Sequence, residues 1–226
     1  MVNDSDHAPD LEGLERAEAA WARAGFLQKV YSLLLLGVAV FAATLWLTPR
    51  VEALFSLMRF VYSNAWVAIL LLLGSAFGVR AVARRPGIGL VGYLAYSFLL
   101  GIFVSLPVAL APEGTVGTAA LLTLSVFAGL TTYAFVTKND FSWMGGALYI
   151  GLFAMIGIGL CGLIFGFHPG TWYSLAGALL FSGFILYDTS NIIHRYRNDE
   201  ALPAAVELFA DVVLLFWNLL SLLNRD

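Results

Sequence analysis

Seven stretches of roughly 20 mostly apolar residues follow one another along this chain, and each is long enough to cross a hydrocarbon layer about 30 Å thick. AWVAILLLLGSAFGVRAV, residues 65–82, carries a single charge in eighteen positions. A soluble domain cannot bury so many surfaces of this kind, because its helices need a polar face for water. The composition agrees, with 60% hydrophobic and 12% charged residues in a chain of 226. The sequence therefore describes an all-α integral membrane protein.

Hydropathy with turn and charge punctuation places the spans at Phe26–Leu47, Ala65–Val82, Ile88–Leu106, Val116–Val136, Trp143–Phe165, Trp172–Ile193 and Ala204–Leu223. Pro49, ARRPG, LPVALAPEG, KND, HPG and RYRNDEALP separate them. The one longer connector, Thr48–Asn64, has room for a small interfacial helix. Two regions result: an acidic N-terminal segment, residues 1–25, and a seven-helix domain, residues 26–226. The acidic segment holds Asp4, Asp6, Asp10, Glu12, Glu15 and Glu18, and lacks the basic start and cleavage site of a signal peptide. Leu11, Leu14 and Trp21 recur at helical spacing after Asp10, a candidate cap. Either a short amphipathic helix or a solvated tail fits this pattern.

Basic residues orient the bundle. With the N-terminus in the cytoplasm, the inner segments hold Arg16, Arg23, Lys29, Arg80, Arg84, Arg85, Lys138, Arg195 and Arg197, and the outer ones only Arg50, Arg59 and Arg225. Nine against three favours N-terminus in and C-terminus out. Small-residue patterns such as GIGLCG and GALLFSG signal close helix packing and carry no chemistry. Cys161 is the single cysteine, so no intrachain disulfide can form. Trp46, Trp66, Trp143 and Trp172 near the span ends read as interface anchors, and His168 and His194 receive no role.

Few of the 27 formal charges fall deep in the spans: Arg80, Asp188, Asp211 and, nearer an end, Glu207. Charge at that depth is costly, so such groups face one another or a cavity and point to function. At 1.5 Å per residue, Asp188 lies roughly 9 Å inside the inner boundary, Asp211 about 12 Å and Arg80 about 6 Å. One layer thus receives two carboxylates and a guanidinium. Carboxylates in contact cannot both ionise comfortably, so the pair should share one proton, for which Arg80 competes. Ionised, Asp188 and Asp211 would offer hard oxygens as a weak, transient cation site, with Asn191, Glu207 and Asn218 as a candidate cation path. These oxygens are too few for a tight calcium cage and suit a transit site. The same trio could instead fix helix register without any transport.

FILYDTSNIIHRY, residues 184–196, and ALPAAVELFADVVLLFWNLLSLL, residues 201–223, resemble the signature of the Bax inhibitor family, the transmembrane Bax inhibitor motif proteins. Its YD maps to Tyr187–Asp188 and its LYLDxxNLF-like segment to Leu208–Phe216. FLQKVYSLLLLGVAV and FGVRAVARR also look like bacterial members. The resemblance implies a seven-transmembrane-helix bundle with the last helix central and surrounded by the other six. It also implies a multi-pass protein of the bacterial inner membrane, and a pH-sensitive calcium leak sensed by Asp188 and Asp211 and latched by Arg80. No enzymatic activity, cofactor or nucleic-acid partner is expected; lipid, protons and calcium are. Two positions depart from the family pattern: Leu214 stands where an asparagine is usual, with Asn218 one turn later, and Ser221 lies near the place of a usual basic residue. Some relatives bind a membrane-anchored ATP-dependent protease, which makes the acidic segment the handle in an alternative, regulatory reading. An intramembrane aspartyl protease would need GxGD and PAL motifs, whereas the chain has LFAD, residues 208–211.

Overall fold

The computed structural model describes residues 11–167 and 170–224. Asp4, Asp6, the candidate cap Asp10, His168 and Arg225 lie outside the described residues. Among the described residues eight α-helices run in order: α1 Leu11–Leu47, α2 Glu52–Ser63, α3 Ala65–Val82, α4 Ile88–Leu110, α5 Thr115–Thr137, α6 Gly145–Phe165, α7 Thr171–His194 and α8 Ala201–Leu223. All but α2 are long and apolar enough to cross a bilayer. Short α2 fills the connector that had room for one, and buries Met58 and Val61 on one face.

The boundaries differ from the expected ones where sequence punctuation misleads. No break separates the acidic segment from the first span, since α1 is continuous over 37 residues. That is roughly 55 Å of helix, well beyond the thickness of a hydrocarbon core. Proline does not end α4 at Leu106, because Pro107 lies inside the helix. The carbonyl that its missing N–H would have served is that of Phe103, four residues back. The Tyr62 hydroxyl of α2 donates to that carbonyl instead. Pro203 likewise sits inside the first turn of α8, where an N–H has no intrahelical partner to lose.

α8 is the axis of the bundle. It packs against α7, α1, α5, α4 and α3, while α6 rests chiefly on α7. α6 thus meets the rest of the bundle mainly through α7. Burial follows this plan: 56% of the most apolar stretch is buried in α7 and in α8, against 6% in α3. Phe209 of α8 shows how the axis is gripped. Its ring meets Phe41 of α1 and both Tyr93 and Tyr96 of α4 edge-on, at centroid distances of 6.4, 5.5 and 6.0 Å. Edge-to-face contacts of this kind add to the gain from burial alone.

One end of the bundle gathers the charged connectors. Arg23 of α1 donates to the Tyr196 and Ile193 carbonyls at 2.8 Å each, to Asn198 Oδ1 at 3.1 Å, and to the Ile192 carbonyl. The Ile192 and Ile193 carbonyls belong to the last turn of α7, where carbonyls lack intrahelical partners and need a donor. Arg195 reaches Ser142 at 2.5 Å and Asp140 at 3.4 Å, closing the α5–α6 turn against α7. The backbone N–H and hydroxyl of Ser142, ahead of Arg195, hold the Asp140 carboxyl below its usual range.

Two glycines set how closely helices approach. A methyl group at Gly37 would lie 2.0 Å from the buried Tyr93 hydroxyl, which donates to the Leu33 carbonyl at 3.0 Å. At Gly177 it would lie 2.1 Å from Asn218 Oδ1, across the α7–α8 seam. Gly37→Ala and Gly177→Ala should each lower stability by about 1–3 kcal/mol through overpacking. Gly74 faces open space, so Gly74→Ala should be neutral or stabilising. Thermal unfolding in detergent reads all three, and Asn218→Ala should restore much of the loss at Gly177.

Candidate functional site

The site lies on the α7–α8 seam, toward the end where the charged connectors meet. Asp188 of α7 and Asp211 of α8 are 7% and 6% exposed, so little water reaches either. Their carboxyl groups stand within hydrogen-bond reach of one another. Asn191, three residues after Asp188 on the same helix face, donates to Asp188 Oδ1 at 3.5 Å. Among the described residues Asp211 Oδ2 has no protein donor. Two ionised carboxylates have only acceptors to offer each other, and a single proton between them supplies the donor. The arrangement therefore fits a shared proton.

Arg80 is in the neighbourhood but bonds elsewhere. Its Nε donates to Glu207 Oε1 at 2.8 Å and its Nη2 to Glu207 Oε2 at 2.5 Å, a two-pronged ion pair between α3 and α8. The expected contact of Arg80 with an aspartate is not made in this state. The reason is depth: Glu207 lies one turn before Asp211 on α8, at the level Arg80 occupies on α3. The same rise per residue places Glu207 about 6 Å from the boundary, as it does Arg80. Glu207 is thus an ion-pair partner here, and its side chain remains about a quarter exposed.

Asn218 lies two turns beyond Asp211. Its Nδ2 donates to the Leu214 carbonyl at 2.7 Å, and its amide faces Gly177 of α7. Glu207, Asp211 and Asn218 therefore form a polar line on α8. Asn191 Oδ1, like Asp211 Oδ2, is buried with no protein donor. Among the described residues no three His, Cys, Asp or Glu side chains converge as a group that could hold a metal ion. Two carboxylates can meet a cation in passing, but they fall short of the six to eight oxygens of a resident calcium site.

Several participants had no signal in the sequence. Tyr96 of α4, Tyr149 of α6 and Tyr196, just after α7, lie within electrostatic reach of the acids and of Arg80. Tyrosines are common in membrane helices, and only the fold turns these toward the acids. Arg80, Arg84, Tyr196 and Glu207 line a cavity of about 130 Å³ at the basic end, with Arg84 held by Glu200 at 3.2 Å.

Comparison with known proteins gives this site a context. The model of the family described as "Inhibitor of apoptosis-promoting Bax1" matches residues 23–226. Mouse protein lifeguard 4 is 35% identical over 211 residues, covering 89% of this chain and 85% of that protein. Bax inhibitor 1 of Schizosaccharomyces pombe is 30% identical over 211 residues, covering 89% and 77%. An uncharacterized Helicobacter pylori protein is 32% identical over 192 residues, covering 81% and 82%. With the match spanning all seven membrane helices and both seam aspartates, the chain belongs to the Bax inhibitor family of membrane proteins.

Proposed function

We propose that the protein is a pH-sensitive leak channel for cations, calcium foremost, in which the Asp188–Asp211 pair senses protons. The observation that carries this reading is the contact of two buried carboxyl groups across the α7–α8 seam. While one proton is shared, the pair ties α7 to the central helix. Once the proton leaves, two carboxylates in contact repel each other, and the seam is pushed toward separation. Separation would expose hard oxygens to a cation along the line of Glu207, Asp211 and Asn218. Conduction requires weak binding, which so few oxygens suit. In this reading the protein is not an enzyme, needs no cofactor and sits in a bacterial inner membrane with its N-terminus in the cytoplasm. The cluster of basic residues at the α7–α8 connector end supports that orientation.

A second reading concerns α1. Ahead of the first span it exposes Trp21 (78%) and Leu14 (56%) on a helix that outruns the bilayer. Such a surface suits a protein partner, and the resemblance points to a membrane-anchored ATP-dependent protease. Regulation through α1 and leak through the seam are compatible.

Proteoliposomes loaded with a calcium dye test the leak. Wild-type flux should vary with pH. Asp188→Asn or Asp211→Asn should flatten the profile to within about twofold, because an amide does not titrate in this range. The variants should remain folded, since an amide keeps the shape and can donate to the remaining carboxylate. Flux no greater than from empty liposomes, with folded wild-type protein, would overturn the channel reading. Removal of residues 1–22 should leave flux intact while abolishing co-purification with the protease, if the partner reading holds.

A further inference from the structure

Resting on the leak reading, we infer that Glu207 is a positioning residue that holds Arg80 off the Asp188–Asp211 pair. The guanidinium then has two acidic berths, Glu207 of α8 and the aspartate pair of the α7–α8 seam, and its exchange between them sets the pH at which the gate turns.

The first berth is the one occupied. Both prongs of the Arg80–Glu207 pair are made, at 2.8 and 2.5 Å, and the side chains remain 45% and 26% exposed. Partial hydration lowers the desolvation cost of an ion pair, so this berth is cheap to fill. The second berth is the seam, where the aspartates are 7% and 6% exposed. A guanidinium entering it sheds more water, which is repaid only by carboxylates that have lost their shared proton. Glu207 and Asp211 are four residues apart on one helix, so the berths are about 6 Å apart along α8. Rotation of the long arginine side chain covers that displacement with α3 in place.

The surroundings favour a contest between these two berths over other partners. Arg84, the nearest other cation on the α3 side, is engaged by Glu200 at 3.2 Å. Tyr96 of α4, Tyr149 of α6 and Tyr196 complete the groups within reach. Their phenols can donate hydrogen bonds but carry no charge near neutral pH. The charges that face Arg80 are therefore Glu207, Asp188 and Asp211. Occupation of the Glu207 berth makes the shared proton easier to keep, and loss of that berth makes it harder.

The test is a set of four proteins: wild type, Glu207→Gln, Arg80→Gln and the double variant. Each is assayed for calcium flux in dye-loaded proteoliposomes across a pH series. Without its anchor, Arg80 moves to the seam and favours the ionised pair. The midpoint of the Glu207→Gln profile should therefore shift to lower pH by about 1 unit. In the Arg80→Gln background, Glu207→Gln should shift it by less than about 0.3 unit, because the group it positions is gone. An unchanged midpoint in Glu207→Gln would overturn the inference. So would equal shifts in both backgrounds, which would mean that Glu207 acts on the seam as a bare charge. The same four proteins are melted in detergent, where the two substitutions should be non-additive; additivity would overturn the anchor whatever the flux shows. A wild-type profile that does not vary with pH would instead remove the leak reading and the gating role, leaving non-additive melting as evidence for the ion pair alone.

Discussion

Two carboxyl groups facing each other across a helix seam, nearly out of reach of water, are the costly feature around which the rest of this bundle is arranged. Isolated, either aspartate would be strongly disfavoured at that depth. Together, with one proton between them, they would carry half the charge of two ionised groups and make a bond. Their contact needs α7 and α8 to be close neighbours, and the short connector after His194 makes them so. It also needs α8 to be enclosed. Phe209 among Phe41, Tyr93 and Tyr96 supplies much of that enclosure, fixing the central helix against α1 and α4.

Around the seam many other polar groups are satisfied within their own helices. Ser97 and Thr123 donate to carbonyls of their own helices at 2.9 and 2.7 Å, an economy that lipid demands. Pro107 is tolerated because Tyr62 of α2 donates to the carbonyl it leaves bare. Arg23 does the same for the end of α7. Among the described residues six buried side-chain oxygens have no hydrogen-bond partner: those of Tyr31, Thr131, Thr189 and Asn224, and the acceptors Asp211 Oδ2 and Asn191 Oδ1, which lie in the seam.

The end of α7 joins the two functional readings physically. Arg23 sits where α1 leaves the bundle and bonds the last turn of α7, one turn beyond Asp188. A partner that moved the exposed part of α1 would pull on the helix that carries Asp188 of the aspartate pair. Ion leak and partner regulation need not be separate properties of such a molecule.

The sequence by itself determined the class of fold, the number of spans and the pair of aspartates. Each of these follows from the cost of polar groups in lipid, which is paid residue by residue and is visible in composition and spacing. It also determined the layer in which the charges meet, since rise per residue converts position into depth. Span ends were less legible where proline interrupts, because whether Pro107 stops α4 depends on a donor from another helix. Only the tertiary structure decided which charge meets which. Arg80, Glu207, Asp188 and Asp211 occupy neighbouring levels, and depth alone cannot say how helices are rotated about their axes. That rotation comes from packing: Gly37 admits Tyr93, Gly177 admits Asn218, and α8 turns its acids accordingly. The pairing of Arg80 with Glu207, and the contact of the two aspartates, are outcomes of helix packing that no single span encodes.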